Sequence, residues 1–239
     1  MKEYYDEIHK SLDWWLFIKD KIKVFRDCIR VLALDLACKT DTYSPDKFQE
    51  REKEIGQIYN DYVDDTYVEF EKFMQLKELI TKMLLKVMEE KSFDDHLGNI
   101  YMRFVPPSKT KGTGQFFTPY NVSKMMASLN CPPIREEVIL CVNDPACGAG
   151  GLLVAMCEIL HEQGINYTQQ VLFVANDIDK MCVDMTYLQL SFLGASAIVE
   201  HRDTLTQECW DVYRTPGFVL SPSVQRKYKQ ITNKNESEM

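Results

Sequence analysis

The sequence predicts an α/β fold with a short sheet, preceded by an all-α domain. Two observations predict it. The first hundred residues carry apolar side chains at helical spacing and no strand signal. From residue 138 onward, short β-branched runs alternate with helical runs, and a glycine-rich turn joins the first such pair.

At 239 residues, 45% of them hydrophobic and 11% aromatic, the chain is long enough to bury a substantial core as one large or two small domains. No window approaches 18 uninterrupted apolar residues, and Met1-Lys2-Glu3-Tyr4-Tyr5-Asp6 lacks the apolar run of a signal peptide. The eight cysteines form no C-x-x-C pair and no metal-ligand spacing with the four histidines. A reduced, cytoplasmic protein without membrane or metal is the expectation. The net charge of −8 opposes a free-standing DNA binder, because duplex affinity comes largely from Lys and Arg on phosphates. The acid is uneven: residues 1–100 carry −6 and residues 101–239 carry −2, so any nucleic-acid surface belongs to the second half or to a partner.

Trp15, Ile18, Ile22, Phe25, Ile29, Leu32 and Leu36 recur at steps of three and four, which predicts one helix, with Ser11 as its N-cap. The spacing also fits a coiled-coil seam with another chain, although Val31 and Leu34 widen the stripe as intramolecular packing requires. A second helix is expected from Ser44-Pro45-Asp46 through Phe48, Ile55, Ile58 and Tyr62. A third runs from about Asp65 to Lys91, and a short fourth, capped by Asp94 or Asp95, reaches Phe104. The stretch 105–114 reads as a basic loop with Lys109 and Lys111. Thr118 as N-cap and Pro119 in the first turn predict a helix through Val122, Met125, Met126 and Leu129.

Val138 to Asp144 reads as a strand that stops at Asp144-Pro145, and Cys147-Gly148-Ala149-Gly150-Gly151 leads into a helix ending at Gly164. Glycines allow close backbone approach to a ligand, and the helix start offers unpaired N–H groups. The dinucleotide fingerprint and the Walker A loop are both excluded by the glycine spacing and the absence of Gly-Lys-Ser/Thr. An acid at the strand tip suits a ligand with an ammonium group, such as S-adenosylmethionine. Val171–Asn176 is the second strand with Asp177 at its tip, where a carboxylate can accept two ribose hydroxyls. A helix from Asp179 to Gly194 and a third strand, Ala197–His201, follow.

Asp144-Pro-Ala-Cys-Gly-Ala-Gly-Gly151, Gly114-Gln-Phe-Phe-Thr-Pro119 and Arg202-Asp-Thr-Leu205, with Asp177, resemble the motifs of the N6-adenine DNA methyltransferases. Within that class the sequence is similar to the methylation (modification) subunits of type I restriction–modification systems, over roughly residues 94–205. The resemblance implies a Rossmann-like S-adenosylmethionine-dependent methyltransferase domain at 105–225, a helical N-terminal domain at 1–104 and a polar tail at 226–239. It implies S-adenosyl-L-methionine as cofactor. Phe116, Phe117 and Thr118 would meet its methionine end, and Asp144, Pro145, Ala146, Cys147, Gly148 and Gly150 would form the loop beneath it. Asp177 would take the ribose, Ile178 would pack on the adenine, and Asp203 in Asp203-Thr204-Leu205 would accept from the adenine amino group. Arg202 replaces a glycine usual in the family.

The family's Asn/Asp-Pro-Pro-Tyr/Phe motif, which aligns the target amine and stacks on the flipped base, is absent. The nearest stretch is Trp210-Asp-Val-Tyr-Arg-Thr-Pro-Gly-Phe218, with Thr215, Pro216 and Phe218 as degenerate candidates, after which 21 residues remain. Three functions stay open. The chain is a DNA adenine methyltransferase relative working with specificity or modification subunits, a non-catalytic regulator or decoy of such a complex, or a methyltransferase for another substrate. Lys109, Lys111, Arg202 and Arg214 are the candidate nucleic-acid contacts.

Overall fold

The computed structural model describes residues 1–41, 44–63, 67–105, 117–132 and 139–237. It divides into two compact units, Met1–Ser92 with His96–Phe117, and Phe93–Asp95 with Thr118–Met239.

The first unit is helical: α1 Lys2–Asp13, α2 Lys21–Thr40, α3 Pro45–Val63, α4 Tyr67–Glu90 and α5 His96–Phe104. The helix predicted from Ser11 through Leu36 is in fact two. Ser11 lies inside α1, and the cap of α2 is Asp20, whose carboxylate accepts from the Ile22 amide at 2.9 Å. The bulky run Trp14–Ile18 breaks the helix because only Trp15 turns inward, packing fully buried against Tyr62 with ring centroids 5.6 Å apart. Phe17 is 95% exposed at the same turn. Tyr62 also stacks on Phe73 at 4.1 Å, tying α3 to α4. The α2 stripe is intramolecular core: Phe25, Ile29, Val31, Leu32 and Leu34 are buried, each such side chain contributing about 1.5–3 kcal/mol. Phe70 is half-buried beside Tyr59.

The second unit runs α6 Tyr120–Asn130, β1 Leu140–Asp144, α7 Gly151–Glu162, α8 Tyr167–Gln170, β2 Val171–Asp177, α9 Lys180–Phe192, β3 Ala197–Arg202, β4 Cys209–Arg214, α10 Pro216–Val219 and α11 Pro222–Ser237. The sheet order is β1-β2-β3-β4, with β1, β2 and β3 parallel and β4 antiparallel to β3. Alternation sends Leu172, Val174, Ile198 and Val212 to one face, where they pack with Phe218, Val224, Tyr228 and Ile231 of α10 and α11. The opposite face lies under α9, where Tyr187 meets Tyr213 at 5.4 Å. The segment read as a polar tail from 226 is therefore helix, closing one face of the sheet. This is a reduced Rossmann-like α/β fold. Among the described residues β1 pairs only with β2, and its Cys141 and Asn143 are exposed. No described helix is long and apolar enough to cross a membrane.

Candidate functional site

Parallel strands place their carboxyl ends on one rim, and three loops converge there. The first is the glycine loop after β1. The Cys147 amide donates to the Asn176 carbonyl at 2.9 Å, and the Gly148 amide donates to Asp177 Oδ2 at 2.9 Å, fastening the loop to the end of β2. Gly148 and Gly150 adopt φ of 55° and 93°, left-handed values that glycine takes without strain. Gly150 is also held by space, since a Cβ there would lie 2.9 Å from Thr186 Oγ1.

The second loop follows β2. Asp177 Oδ1 accepts the Asp179 amide at 2.8 Å, and Asp179 caps α9 by accepting from the Met181 and Cys182 amides. The third joins β3 to β4. Asp203 accepts from the Leu205 and Thr206 amides, and the Thr204 hydroxyl donates to the Pro145 carbonyl at 2.6 Å, bridging this loop back to the first. Asp144, Pro145, Cys147, Gly148, Gly150, Asp177, Ile178, Asp203 and Thr204 are thus gathered on one rim. Ala146 and Leu205 lie on the same loops and are exposed.

Helix α9 supports this rim through polar groups set into its buried face. The Thr186 hydroxyl donates to the Gly148 carbonyl at 2.9 Å, and Gln189 Nε2 donates to the Ala149 carbonyl at 2.6 Å and to Asp95 Oδ1 at 2.9 Å. Sequence reasoning missed Thr186, Gln189 and Asp95. For Thr186 and Gln189 the signal is present as polar residues interrupting the Met181, Met185, Leu188 stripe, whereas Asp95 reads locally only as a helix cap.

The two strand-tip carboxylates differ in how far they are satisfied. Burial pushes Asp144 above the ordinary carboxylate range, its single amide bond, from Ala146 at 3.2 Å, opposes the shift, and the charge of Asp177 adds to it. Burial likewise raises Asp177 against the pull of the Asp179 and Gly148 amides. Asp203, by contrast, is held low by the Leu205 and Thr206 amides. A partly buried acid pair, Asp144 with one amide donor and Asp177 with two, keeps acceptor capacity for a ligand that brings hydroxyls and positive charge.

Lys109, Lys111 and Phe116 lie outside the described residues. The Phe117 ring packs on Tyr101 at 5.8 Å within the helical unit. Thr118 is not an N-cap. Helix α6 starts one residue later, with Pro119 at the cap and no side-chain cap bond, because Pro119 already holds an extended ψ of 137°. Thr118 is exposed, and among the described residues no hydrogen bond joins it to the glycine loop. Arg202 and Arg214 form no common patch. Arg202 Nε sits 2.7 Å from Glu200 Oε2, whereas Arg214 pairs with Ile198 near the other end of the hairpin.

The degenerate catalytic candidates also require correction. Because β4 runs antiparallel to β3, its end at Arg214 lies at the amino end of the parallel strands. Six residues at about 3.4 Å each separate Thr215 from the loop rim by about 20 Å. Thr215 is fully buried, accepting from the Ala197 amide at 2.9 Å and donating to the Ala195 carbonyl at 2.6 Å. Pro216 opens α10 as its first residue, a position where its missing N–H costs no helical bond, and Phe218 is 2% exposed in the core. Thr215, Pro216 and Phe218 build a capped helix start at the opposite end of the strands from the glycine loop.

The family model for N-6 DNA methylases matches residues 92–238, more than half of the chain. The chain belongs to the N-6 DNA methylase family. S-adenosylmethionine is the cofactor that membership of this family implies. Over 145 residues the chain is 26% identical to the type I restriction enzyme MpnII methylase subunit of Mycoplasma pneumoniae, covering 57% of this chain and 26% of that protein. It is 28% identical over 119 residues to the MjaIX methylase subunit of Methanocaldococcus jannaschii, covering 48% of this chain and 20% of that one. The chain therefore spans about a quarter or less of the length of these curated relatives. A solved class I S-adenosylmethionine-dependent methyltransferase from Listeria monocytogenes is similar at 16% identity and a TM-score of 0.34, over 73% of this chain and 52% of that one.

Proposed function

We propose that the rim formed by residues 144–150, 177–179 and 203–205 binds S-adenosylmethionine, and that the chain acts in adenine-N6 methylation of DNA together with partner subunits. The observation that carries this reading is the pair of partly buried carboxylates, Asp144 and Asp177, set against a glycine loop with acceptor capacity left for a ligand. When bound, S-adenosylmethionine supplies an electrophilic methyl group. Asp177 would accept the ribose hydroxyls while keeping the Gly148 amide in place, and Asp144 would balance the positive charge of the methionine portion. Ile178, 63% exposed beside Asp177, offers an apolar face to the purine, and Asp203 an acceptor for its amino group.

Dependence on partners rests on three features. Thr215–Phe218 is remote from the rim, so no residue of that stretch aligns a target amine near the cofactor. The net charge of −8 gives weak attraction for phosphates. Met125 and Leu129 of α6 are 57% and 78% exposed, and among the described residues β1 pairs only with β2, as surfaces awaiting another chain would be. The relatives are named as methylase subunits of type I restriction enzymes, and specificity or modification subunits of such systems are the partners to try. Tritiated methyl transfer to unmethylated DNA, measured for the chain alone and with those subunits, tests the reading. Transfer only in the mixture supports it. Cofactor binding without transfer in any mixture would favour a non-catalytic regulator, a role the remoteness of Thr215 also fits.

A further inference from the structure

The α9-facing side of the sheet carries a row of side chains across its carboxyl rim. Asp144 pairs in register with Ala175, and Asp177, two residues further along β2, pairs with His201. Register partners on neighbouring strands, and residues two apart on one strand, share a face, so Asp144, Asp177 and His201 stand on the same one. The row ends in an aromatic pair. The Trp210 ring lies against the His201 ring with centroids 4.7 Å apart.

Trp210 owes this position to a β-bulge. His201 pairs with Asp211 but Arg202 pairs with Cys209, so Trp210 is the extra residue of β4, and the register shifts at that point. Bulges of this kind re-aim a side chain at the rim of a sheet. The indole is 41% exposed, unusual for tryptophan beside a rim that is otherwise tightly bonded. His201 is itself fixed. Its Nε2 lies 3.1 Å from the Ile178 carbonyl, an acceptor only, so the ring carries its proton on Nε2 and donates it there. Asp177, Ile178, His201 and Trp210 are thereby linked in one chain of contacts, and the indole stands two strand spacings, about 10 Å, from Asp177. A ribose held at Asp177 would put its purine within that reach.

We infer that Trp210, braced by His201, is the base-stacking wall of this rim and takes the purine ring of the bound nucleoside opposite Ile178. This rests on the cofactor reading above and adds a residue to it. Stacking on an aromatic face reads the ring rather than its hydrogen-bonding edge, so it is tolerant of purine identity.

The test uses the full chain with S-adenosylhomocysteine and its 6-oxo purine analogue, S-inosylhomocysteine, as probes, by calorimetry and tryptophan fluorescence. Trp210→Ala is expected to weaken both probes about tenfold and to similar extents, and Trp210→Phe to stay within about threefold of the wild type. The ligand-induced change in emission is expected in the wild type and lost in Trp210→Phe, a readout that a purely structural role would not move. Thermal melts of both variants show whether they fold, and the Phe variant keeps the test open if the Ala variant does not. Wild-type binding that depends on Asp177 but is unchanged in Trp210→Ala, or in Trp210→Phe with emission still responding, would overturn the inference alone. No binding of either probe by the wild type would overturn the cofactor reading and the inference with it.

Discussion

The Gly148 amide donates to Asp177 Oδ2 at 2.9 Å, so the glycine loop after β1 is held by the acid at the end of β2. One carboxylate thus shapes the loop and, in the proposed function, would also meet the ligand. Asp177→Ala is expected to lower both cofactor affinity and stability, each by about 1–3 kcal/mol, the cost of losing bonds to a charged acceptor. Calorimetry and chemical denaturation separate the two. A loss of stability with unchanged affinity would confine Asp177 to the loop.

Acidity should act on the free and liganded forms in opposite senses. Burial raises Asp144 and Asp177, so in the free chain their contribution to stability is present at low pH and is lost as pH rises through the raised values. A cationic ligand needs both ionised. The melting-temperature increase given by S-adenosylmethionine should therefore be larger at about pH 7.5 than at about pH 5.5, approaching the carboxylate range. An increase that is flat across this interval in the wild type would mean that neither acid faces the ligand's charge.

Gly150 is the least replaceable residue of the loop. With φ at 93° and a Cβ position 2.9 Å from Thr186 Oγ1, Gly150→Ala combines backbone strain with a clash. A destabilisation of about 1–3 kcal/mol is expected, together with loss of cofactor binding. A variant within about 0.5 kcal/mol of the wild type would show that the loop has another accessible conformation.

Restoring the family motif at 215–218 should fail. A Cβ at Gly217 would lie 2.5 Å from the Gly194 carbonyl and 2.6 Å from that of Ala195, and Thr215 is fully buried. Thr215→Asn with Gly217→Pro is expected to destabilise the chain by more than about 3 kcal/mol and to confer no methyl transfer. The milder Thr215→Val should lose about 1–3 kcal/mol in denaturant titrations, yet bind cofactor as the wild type does. Weakened binding in a folded Thr215→Val would place this residue nearer the site than the strand direction allows.

The candidate rim is legible where it is local: a strand tip, a glycine turn and a helix start are each specified by neighbours in sequence, so Asp144, Gly148 and Asp177 stand out from their surroundings, whereas Asp203 comes only with the family resemblance. The errors came where tertiary structure decides. Periodicity alone joins Trp15 to Leu36, because the break at Trp14–Asp20 leaves the three- and four-residue spacing of apolar side chains unchanged, and the cap at Asp20 is hidden by it. The direction of β4 is a long-range choice that no local pattern encodes, and reversing it carries Thr215 to the other rim. The position of Trp210 has no local signal, since a bulge is visible only once the pairing is known.

Calorimetric titration of the full chain with S-adenosylmethionine at about pH 7.5, with Asp177→Ala alongside, is the most direct test of the central claim. Saturable one-site binding by the wild type, weakened about five- to 150-fold in the variant, is the predicted result. Absence of heat and of binding by the wild type at about millimolar ligand, well above ordinary cofactor affinities, would contradict it.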